Sequence, residues 1–583
     1  MRRELPGQGA SRGSALGRAR VRLPHVLDVP EERIEDVDAE LARLHDAIRI
    51  VRAEMHGLRA RLHGALAQEV GEFLDLHALL LDDPELLHGL DDLIRDGRYS
   101  ADYALRLQRD RLAGVFEGMD DAYLRSRIDD IDQVIGRIHA ALRRDLHDAG
   151  DVAGIAGEIL VTDNVAPAEL AQLQGQGVMA VVTTGGNPLS HTAILARSLH
   201  LPLVVGAIGA LQKINDGDVL AVDGGSGTVV VEPAAGDLRV HRARLRDQAR
   251  ERKQLRRLRR EPSRTLDGVD IKLWANAESR EDVAEAHALG AAGVGLYRTE
   301  FLVLGSRELP DEDTQFRAYR DLVLGMTGRT VTIRTLDLGA DKADRSGLVL
   351  DNEPNPAMGL RGVRLALARH ALFDTQLRAI ARASGYGPIR ILVPMVSARE
   401  EIIAVRTRLD QVLRQLRSEG HALADSIPLG AMIEVPAAAI ALPAFIDTLD
   451  FMSIGTNDLV QYLLAVDRNN DALAPMYSPL HPAVLRLLYK VARTSRARGK
   501  PVAVCGEMAG DPLFAPLLLA LGIEELSMHP GTLLEVRRAI RGCDLGGLRA
   551  RLPGLMRARD RAGIEAWMQK SMPLDDNQAI MTR

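Results

Sequence analysis

Beyond Pro262 the chain repeats one pattern eight times, a run of four to six mostly apolar residues followed by a helical stretch. The runs are Ile271–Asn276, Gly293–Tyr297, Thr330–Thr335, Ile389–Pro394, Leu429–Glu434, Asp450–Ile454, Pro501–Cys505 and Glu525–Met528. Short, nearly continuous apolar runs suit strands buried on both faces, and strands alternating with helices build a parallel sheet. Eight such units predict a closed (β/α)₈ TIM barrel over residues 263–583, with an open doubly wound sheet as the alternative.

A barrel of this kind carries its reactive groups at the C-terminal ends of the strands and in the loops that follow. Arg298 and Glu300 follow the second run, Arg334 and Asp337 the third, Glu434 ends the fifth, Asn457 and Asp458 follow the sixth, and Cys505 ends the seventh. Arg298, Arg334 and Arg468 around one mouth imply an anionic substrate bearing carboxylate and phosphate, because a planar guanidinium grips both bidentately. Each taken alone fits a rim salt bridge equally well. Glu434 and Asp458 are hard oxygen donors on neighbouring strand ends, an arrangement suited to Mg²⁺; the plainer alternative is two buried acids that meet the arginines. Cys505 fits a small buried apolar residue, but its strand-end position suits a proton donor to an enolate carbon. A thiol with a pKa of about 8.5 stays protonated at neutral pH.

A second constellation precedes the barrel. The apolar stretch Val178–Val182 feeds Thr-Thr-Gly-Gly-Asn-Pro-Leu-Ser-His, residues 183–191, and a helix is predicted from near Ser190. Its first backbone N–H groups offer a place for a phosphoryl group beside His191, although a histidine that merely caps a helix fits the same pattern. Strand-like pieces at Ser14–Arg22, Glu158–Val161, Asp218–Asp223 and Gly227–Val231 surround this segment. Between Pro30 and about Leu146 the apolar period is helical instead, as in Ala39, Leu41, Leu44, Ala47, Ile48, Val51 and Met55. A helical bundle inserted into an α/β domain follows. The organisation read from the sequence is an α/β domain at 1–29 and 147–235, the bundle at 30–146, a helical linker at 236–262 and the barrel at 263–583.

Composition closes off other classes. The formal net charge of −6 gives no global reason to expect nucleic acid, and the Arg-rich run at Arg256–Arg260 reads as part of a solvated linker helix. No apolar run approaches the ~18 residues that span a bilayer, and no secretory signal is visible, so a cytoplasmic protein without membrane contact is expected. Two cysteines in 583 residues cannot build a disulfide framework.

The 183–206 segment resembles the phosphohistidine signature of the phosphoenolpyruvate-utilising enzymes. Gly295–Leu302, Asp450–Leu459, Ile333–Asp337 and Ala465–Arg468 are similar to barrel motifs of one branch, the phosphoenolpyruvate-protein phosphotransferases or Enzyme I family of the bacterial phosphotransferase system. That resemblance spans nearly the whole chain. It implies a swivelling phosphohistidine domain in which His191 accepts the phosphoryl group, with Glu434 and Asp458 as Mg²⁺ ligands. It further implies Arg298, Arg334, Asn457, Asp458 and Arg468 as phosphoenolpyruvate binders and Cys505 as the acid that turns enolate into pyruvate. The implied partners are an HPr-type phosphocarrier docked on the bundle and a second copy of the barrel as homodimer partner. A docking candidate is the helix with Phe73, Leu76, His77, Leu80 and Leu81, residues that also suit the bundle core.

The match departs from the family in two places. Gly-Gly-Asn-Pro-Leu-Ser-His stands where Gly-Gly-Arg-Thr-Ser-His is common, and Gly339-Ala340-Asp341-Lys342 has Ala for a second Gly. A dikinase or synthase relative would share the histidine and barrel, but residues 30–146 lack the Gly-rich phosphate loop of a nucleotide domain. A silent regulator would have no need of His191, both acids, the arginines and Cys505.

Overall fold

The chain divides into two units, Met1–Glu251 and Arg252–Arg583. The computed structural model describes all residues except 1, 12, 23–28, 62–76, 79, 118–126, 143–154, 166, 187–190, 200, 304–308, 339–352, 354, 469–472 and 572–583.

In the first unit eight strands form one mixed sheet: β1 (Arg3–Pro6), β2 (Gln8–Ser11), β3 (Ser14–Val21), β4 (Glu158–Thr162), β5 (Ala180–Thr183), β6 (Leu203–Val205), β7 (Val219–Asp223) and β8 (Thr228–Val231). Their order is β1-β8-β7-β3-β4-β5-β6-β2, with β3 to β6 mutually parallel. Alternate residues serve opposite faces, as a period of two requires. Ile159, Val161, Ala180 and Val182 pack with Leu220, Val222 and Val229 on one side, while Leu160 and Val181 join the helices on the other. Each buried valine, leucine or isoleucine among them contributes about 1.5–3 kcal/mol. The strands β1 and β2 fall where no strand is predicted.

Helices Val37–Arg61, Pro84–Arg95, Ala101–Glu117 and Arg127–Leu142 are inserted between β3 and β4. Asp83 caps the second of these, accepting from Glu85 N–H at 2.8 Å ahead of Pro84, whose missing N–H costs nothing at a helix start. Leu41, Leu44, Ala47, Ile48, Val51 and Met55 are all buried as the periodicity requires, whereas Ala39, in the first turn, is exposed. The proposed docking residues divide differently. His77 and Leu81 are buried and Leu80 is partly buried, which makes them core of the bundle, and Phe73 and Leu76 lie outside the described residues.

A helix, Ala235–Arg257, crosses the division between the units and ends in a tight turn, Leu258–Arg260. The second unit closes as the predicted barrel, all strands parallel: β9 (Lys272–Ala277), β10 (Val294–Tyr297), β11 (Val331–Arg334), β12 (Ile389–Val393), β13 (Leu429–Met432), β14 (Phe451–Ile454), β15 (Val502–Val504) and β16 (Glu525–Met528), which returns to β9. Each strand lies within two residues of its predicted run. Outward-facing residues such as Ile391, Val393, Ala431, Met452 and Ile454 pack under the helical ring. Inside, Leu296, Leu392, Met432, Phe451 and Cys505 form a separate cluster. Nearer the strand starts the Arg390 guanidinium stacks between Trp274 (4.6 Å) and Phe451 (4.4 Å) and donates to Thr332 Oγ1 at 2.9 Å. Among the described residues no helix is long and apolar enough to cross a membrane.

Candidate active site

The parallel strands deliver their last residues to one rim, and the polar groups found in sequence gather there. Arg334 ends β11, Arg298 directly follows β10, Glu434 lies two residues past β13, and Cys505 directly follows β15. Asn457 and Asp458 occupy the first turn of helix Thr456–Leu464, which follows β14, and Arg468 lies beyond that helix.

Ion pairs join three of these groups, Arg334, Asp458 and Arg468, with Glu300, Asp337 and Arg361 into a chain. Arg334 meets Glu300 at 3.0 Å and Asp337 at 3.4 Å; Arg361 meets Asp337 at 2.8 Å and Asp458 at 3.5 Å; Arg468 reaches Asp458 at 3.9 Å. Acids and bases alternate from Glu300 to Arg468, which offsets the cost of holding so many charges at a partly dry rim. Arg298 instead pairs with Glu278 at 2.6 Å. Asn457 exchanges two hydrogen bonds with Glu507: its Nδ2 donates to Oε1 at 2.9 Å, and Glu507 N–H donates to its Oδ1 at 3.0 Å.

Glu434 is the electrostatic exception. It is buried, 1% exposed, and accepts the Met395 N–H at 2.6 Å. Burial, followed by the charges of Asp458 and Asp337, pushes its carboxyl up to about 8. Met395, which supplies that N–H, has φ +58, a left-handed conformation costly for a residue with a side chain. Opposite stands Gly455, where a Cβ would lie 2.8 Å from Glu434 Oε2. Glycine therefore lets the backbone come close to the carboxylate. Two acids that repel each other at one rim have the chemistry of a divalent-cation site that keeps waters or substrate as its other ligands. Among the described residues no group of three or more His, Cys, Asp or Glu side chains is placed to hold an ion. A two-carboxylate site is the arrangement these donors fit.

Cys505 points its thiol at the Ile454 carbonyl, 3.5 Å away. Burial pushes that thiol up to about 11, above the ordinary value assumed from sequence, so it holds its proton more firmly. Its backbone carbonyl accepts Asn276 Nδ2 at 3.0 Å, and Asn276 Oδ1 accepts Ser527 Oγ at 2.6 Å.

Four polar groups of the rim escaped the sequence reading. Glu278 follows β9 and Glu507 follows β15, so the strand-end rule applied evenly would have found both. Asn276 lies within β9, in the first predicted run. Arg361 gives no such signal, since it lies 24 residues beyond its partner Asp337 in a loop.

In the first unit His191 is the first residue of helix His191–Ser198, one residue later than the predicted start. The helix is held where β4 and β5 end, since Thr192 Oγ1 donates to the Val165 carbonyl at 3.2 Å. Gly185 N–H bonds the Asp163 carbonyl at 2.9 Å, and Gly206 N–H bonds the Gly185 carbonyl at 3.1 Å. The loop departure, Asn187-Pro188-Leu189 with Ser190, lies outside the described residues, as does Gly339–Lys342.

Comparison with known proteins covers both units. Family models match three stretches: PEP-utilising enzyme, N-terminal, at residues 6–127; PEP-utilising enzyme, mobile domain, at 154–227; and PEP-utilising enzyme, PEP-binding domain, at 252–545. The phosphoenolpyruvate-protein phosphotransferase of Cupriavidus necator is 45% identical over 548 residues, 92% of this chain and 94% of that protein. Proteins of the same name from Geobacillus stearothermophilus and Staphylococcus aureus are 38% and 37% identical, covering 92% and 93% of this chain and 93% and 95% of their own.

Proposed function

We infer the function from one premise: this chain belongs to the phosphoenolpyruvate-protein phosphotransferase family. It transfers the phosphoryl group of phosphoenolpyruvate to its own His191, releases pyruvate, and passes the group to a histidine of an HPr-type carrier, the first step of the phosphotransferase system. The observation that carries this reading is the alternating chain of charges at the barrel mouth, with the Glu434–Asp458 pair beside it.

Arg298, Arg334 and Arg468 are assigned to the substrate's phosphate and carboxylate, with Asn457 and Asp458 beside them. The partly exposed side chains of Arg298 and Arg468, 38% and 40%, leave donors free for a ligand. Glu434 and Asp458 would hold Mg²⁺, which supplies charge neutralisation at the transferring phosphoryl group. The neutral imidazole of His191 attacks phosphorus, the bond from phosphorus to the enolate oxygen breaks, and the enolate carbon takes the Cys505 proton. A thiol that stays protonated to about 11 suits the acid of that last step. Catalysis on this scheme is positioning and electrostatics.

We assign residues 1–29 and 147–235 to the phosphohistidine domain, 30–146 to carrier docking, 236–262 to the linker, and 263–583 to substrate binding and dimerisation of a cytoplasmic enzyme. Exchange of labelled pyruvate into phosphoenolpyruvate tests the reading with no carrier present. It should need Mg²⁺, need no nucleotide, and vanish in His191→Ala; exchange that persists in that variant overturns the reading.

A further inference from the structure

Behind the charged rim, on the helix side of the barrel wall, one buried amide bonds to residues that lie next to site residues in two strand-end turns. Gln376, on helix His370–Ala383, is 5% exposed. Its Oε1 accepts the Leu336 N–H at 2.9 Å, and its Nε2 donates to Thr299 Oγ1 at 3.2 Å and to Tyr319 Oη at 3.3 Å. Thr299 Oγ1 in turn donates to the Arg334 carbonyl at 3.0 Å. Thr299 lies between Arg298 and Glu300, and Leu336 lies next to Asp337. One side chain therefore ties the turn after β10 to the turn after β11.

We propose that Gln376 is a positioning residue for phosphoryl transfer, holding Arg298, Glu300, Arg334 and Asp337 in register from outside the barrel. This inference rests on the function proposed above. The polarity of the network supports it, because every donor and acceptor is dictated from its ends. The Pro310 carbonyl can only accept, and it takes Gln315 Nε2 at 2.8 Å; Gln315 Oε1 then takes the Tyr319 hydroxyl proton at 3.1 Å. Tyr319 oxygen is left as an acceptor for Gln376. At the other end the Arg334 carbonyl claims the Thr299 proton, so Thr299 oxygen also accepts from Gln376. The Leu336 N–H can only donate. The site needs an acceptor and a double donor on one planar group, which among side chains of this length is the glutamine amide. Thr299 and Tyr319 are 1% and 0% exposed, so loss of the amide leaves buried polar atoms without their partner. Gln376 faces the wall and not the barrel mouth, and acts through the residues it ties.

The test is pyruvate–phosphoenolpyruvate exchange with Mg²⁺ and the full chain. Gln376→Met keeps the volume and removes the amide; kcat should fall about 10- to 100-fold with KM for phosphoenolpyruvate changing less. Gln376→Glu adds a readout that packing alone does not move. When protonated, glutamic acid can accept from Leu336 and donate one bond, so the ratio of its rate to the wild-type rate should rise as pH falls from 8 to 6; the ratio cancels the titration of His191. Thr299→Val, which cuts the link to Arg334, serves in place of Gln376→Met if that variant does not fold. Folded variants with kcat within twofold of wild type, or a Gln376→Glu ratio flat with pH, overturn the inference while leaving the proposed function standing. Absence of exchange in the wild-type chain overturns both.

Discussion

Replacing Glu434 with glutamine should abolish a pH dependence in the stability of the metal-free barrel. In the folded chain burial and the nearby Asp458 and Asp337 charges raise the carboxyl from its ordinary 4.5 to about 8. The folded state then binds a proton that the unfolded state has lost throughout that window, so this contribution is complete below pH 4.5 and disappears as pH climbs to 8. At about 1.4 kcal/mol per pH unit the loss across the window is ~5 kcal/mol, a fall in Tm on the order of 10 °C for a barrel of this size. Glutamine keeps the size and the bond from the Met395 N–H and cannot ionise. Calorimetry of the chelator-treated wild type and Glu434→Gln from pH 5 to 8 is the assay, with the barrel transition of the variant expected to be flatter by about 3–4 kcal/mol over that range. The same linkage predicts that Mg²⁺ binding at neutral pH expels a proton and strengthens as pH rises. Equal pH slopes in wild type and Glu434→Gln would refute the reasoning.

Three further outcomes follow from the rim. Cys505→Ala should still place label on His191 in a first turnover but slow pyruvate–phosphoenolpyruvate exchange by about 10²–10⁴, since the thiol is the assigned acid; rapid-quench measurement of both steps checks this. Arg334→Met strands the buried Glu300, while Asp337 keeps Arg361, and should cost about 3 kcal/mol in denaturant unfolding; Arg298→Met strands Glu278, whose side chain is 10% exposed, and should cost about 1–3 kcal/mol besides weakening substrate binding. Gly506→Ala sets a methyl group against Thr456 Oγ1 and 2.9 Å from Asn457 Oδ1, so it should disturb the Asn457–Glu507 pair and raise KM for phosphoenolpyruvate without loss of helical circular dichroism.

The barrel was legible because its strands are apolar on both faces and therefore stand out as uninterrupted runs; all eight are found within two residues. The edge strands β1 and β2 were not, because Arg-Glu-Leu-Pro and Gln-Gly-Ala-Ser bury only Leu5, Ala10 and Ser11 and show no alternation. The bundle was readable from its helical period, but periodicity marks a face as buried without saying what buries it. Of the two roles open to His77 and Leu81, carrier docking and bundle core, burial favours the core. At the rim the strand-end rule reached residues whose position follows from topology. It could not reach Arg361, which meets Asp458 across 97 residues of sequence, or Gln376, which meets Leu336 across 40. Such pairs exist only once the barrel has closed. Charge state was equally invisible: the same burial that lifts Glu434 to about 8 and Cys505 to about 11 is a property of the folded interior.

His191 is the residue assigned to carry the phosphoryl group. Incubation of the chain with phosphoenolpyruvate labelled in its phosphate, with Mg²⁺ and without nucleotide, followed by peptide mapping under alkaline conditions, tests it most directly. One acid-labile, base-stable label per chain should appear on the peptide containing His191, formed together with one pyruvate. Label on another residue, or label that survives His191→Ala, would contradict it.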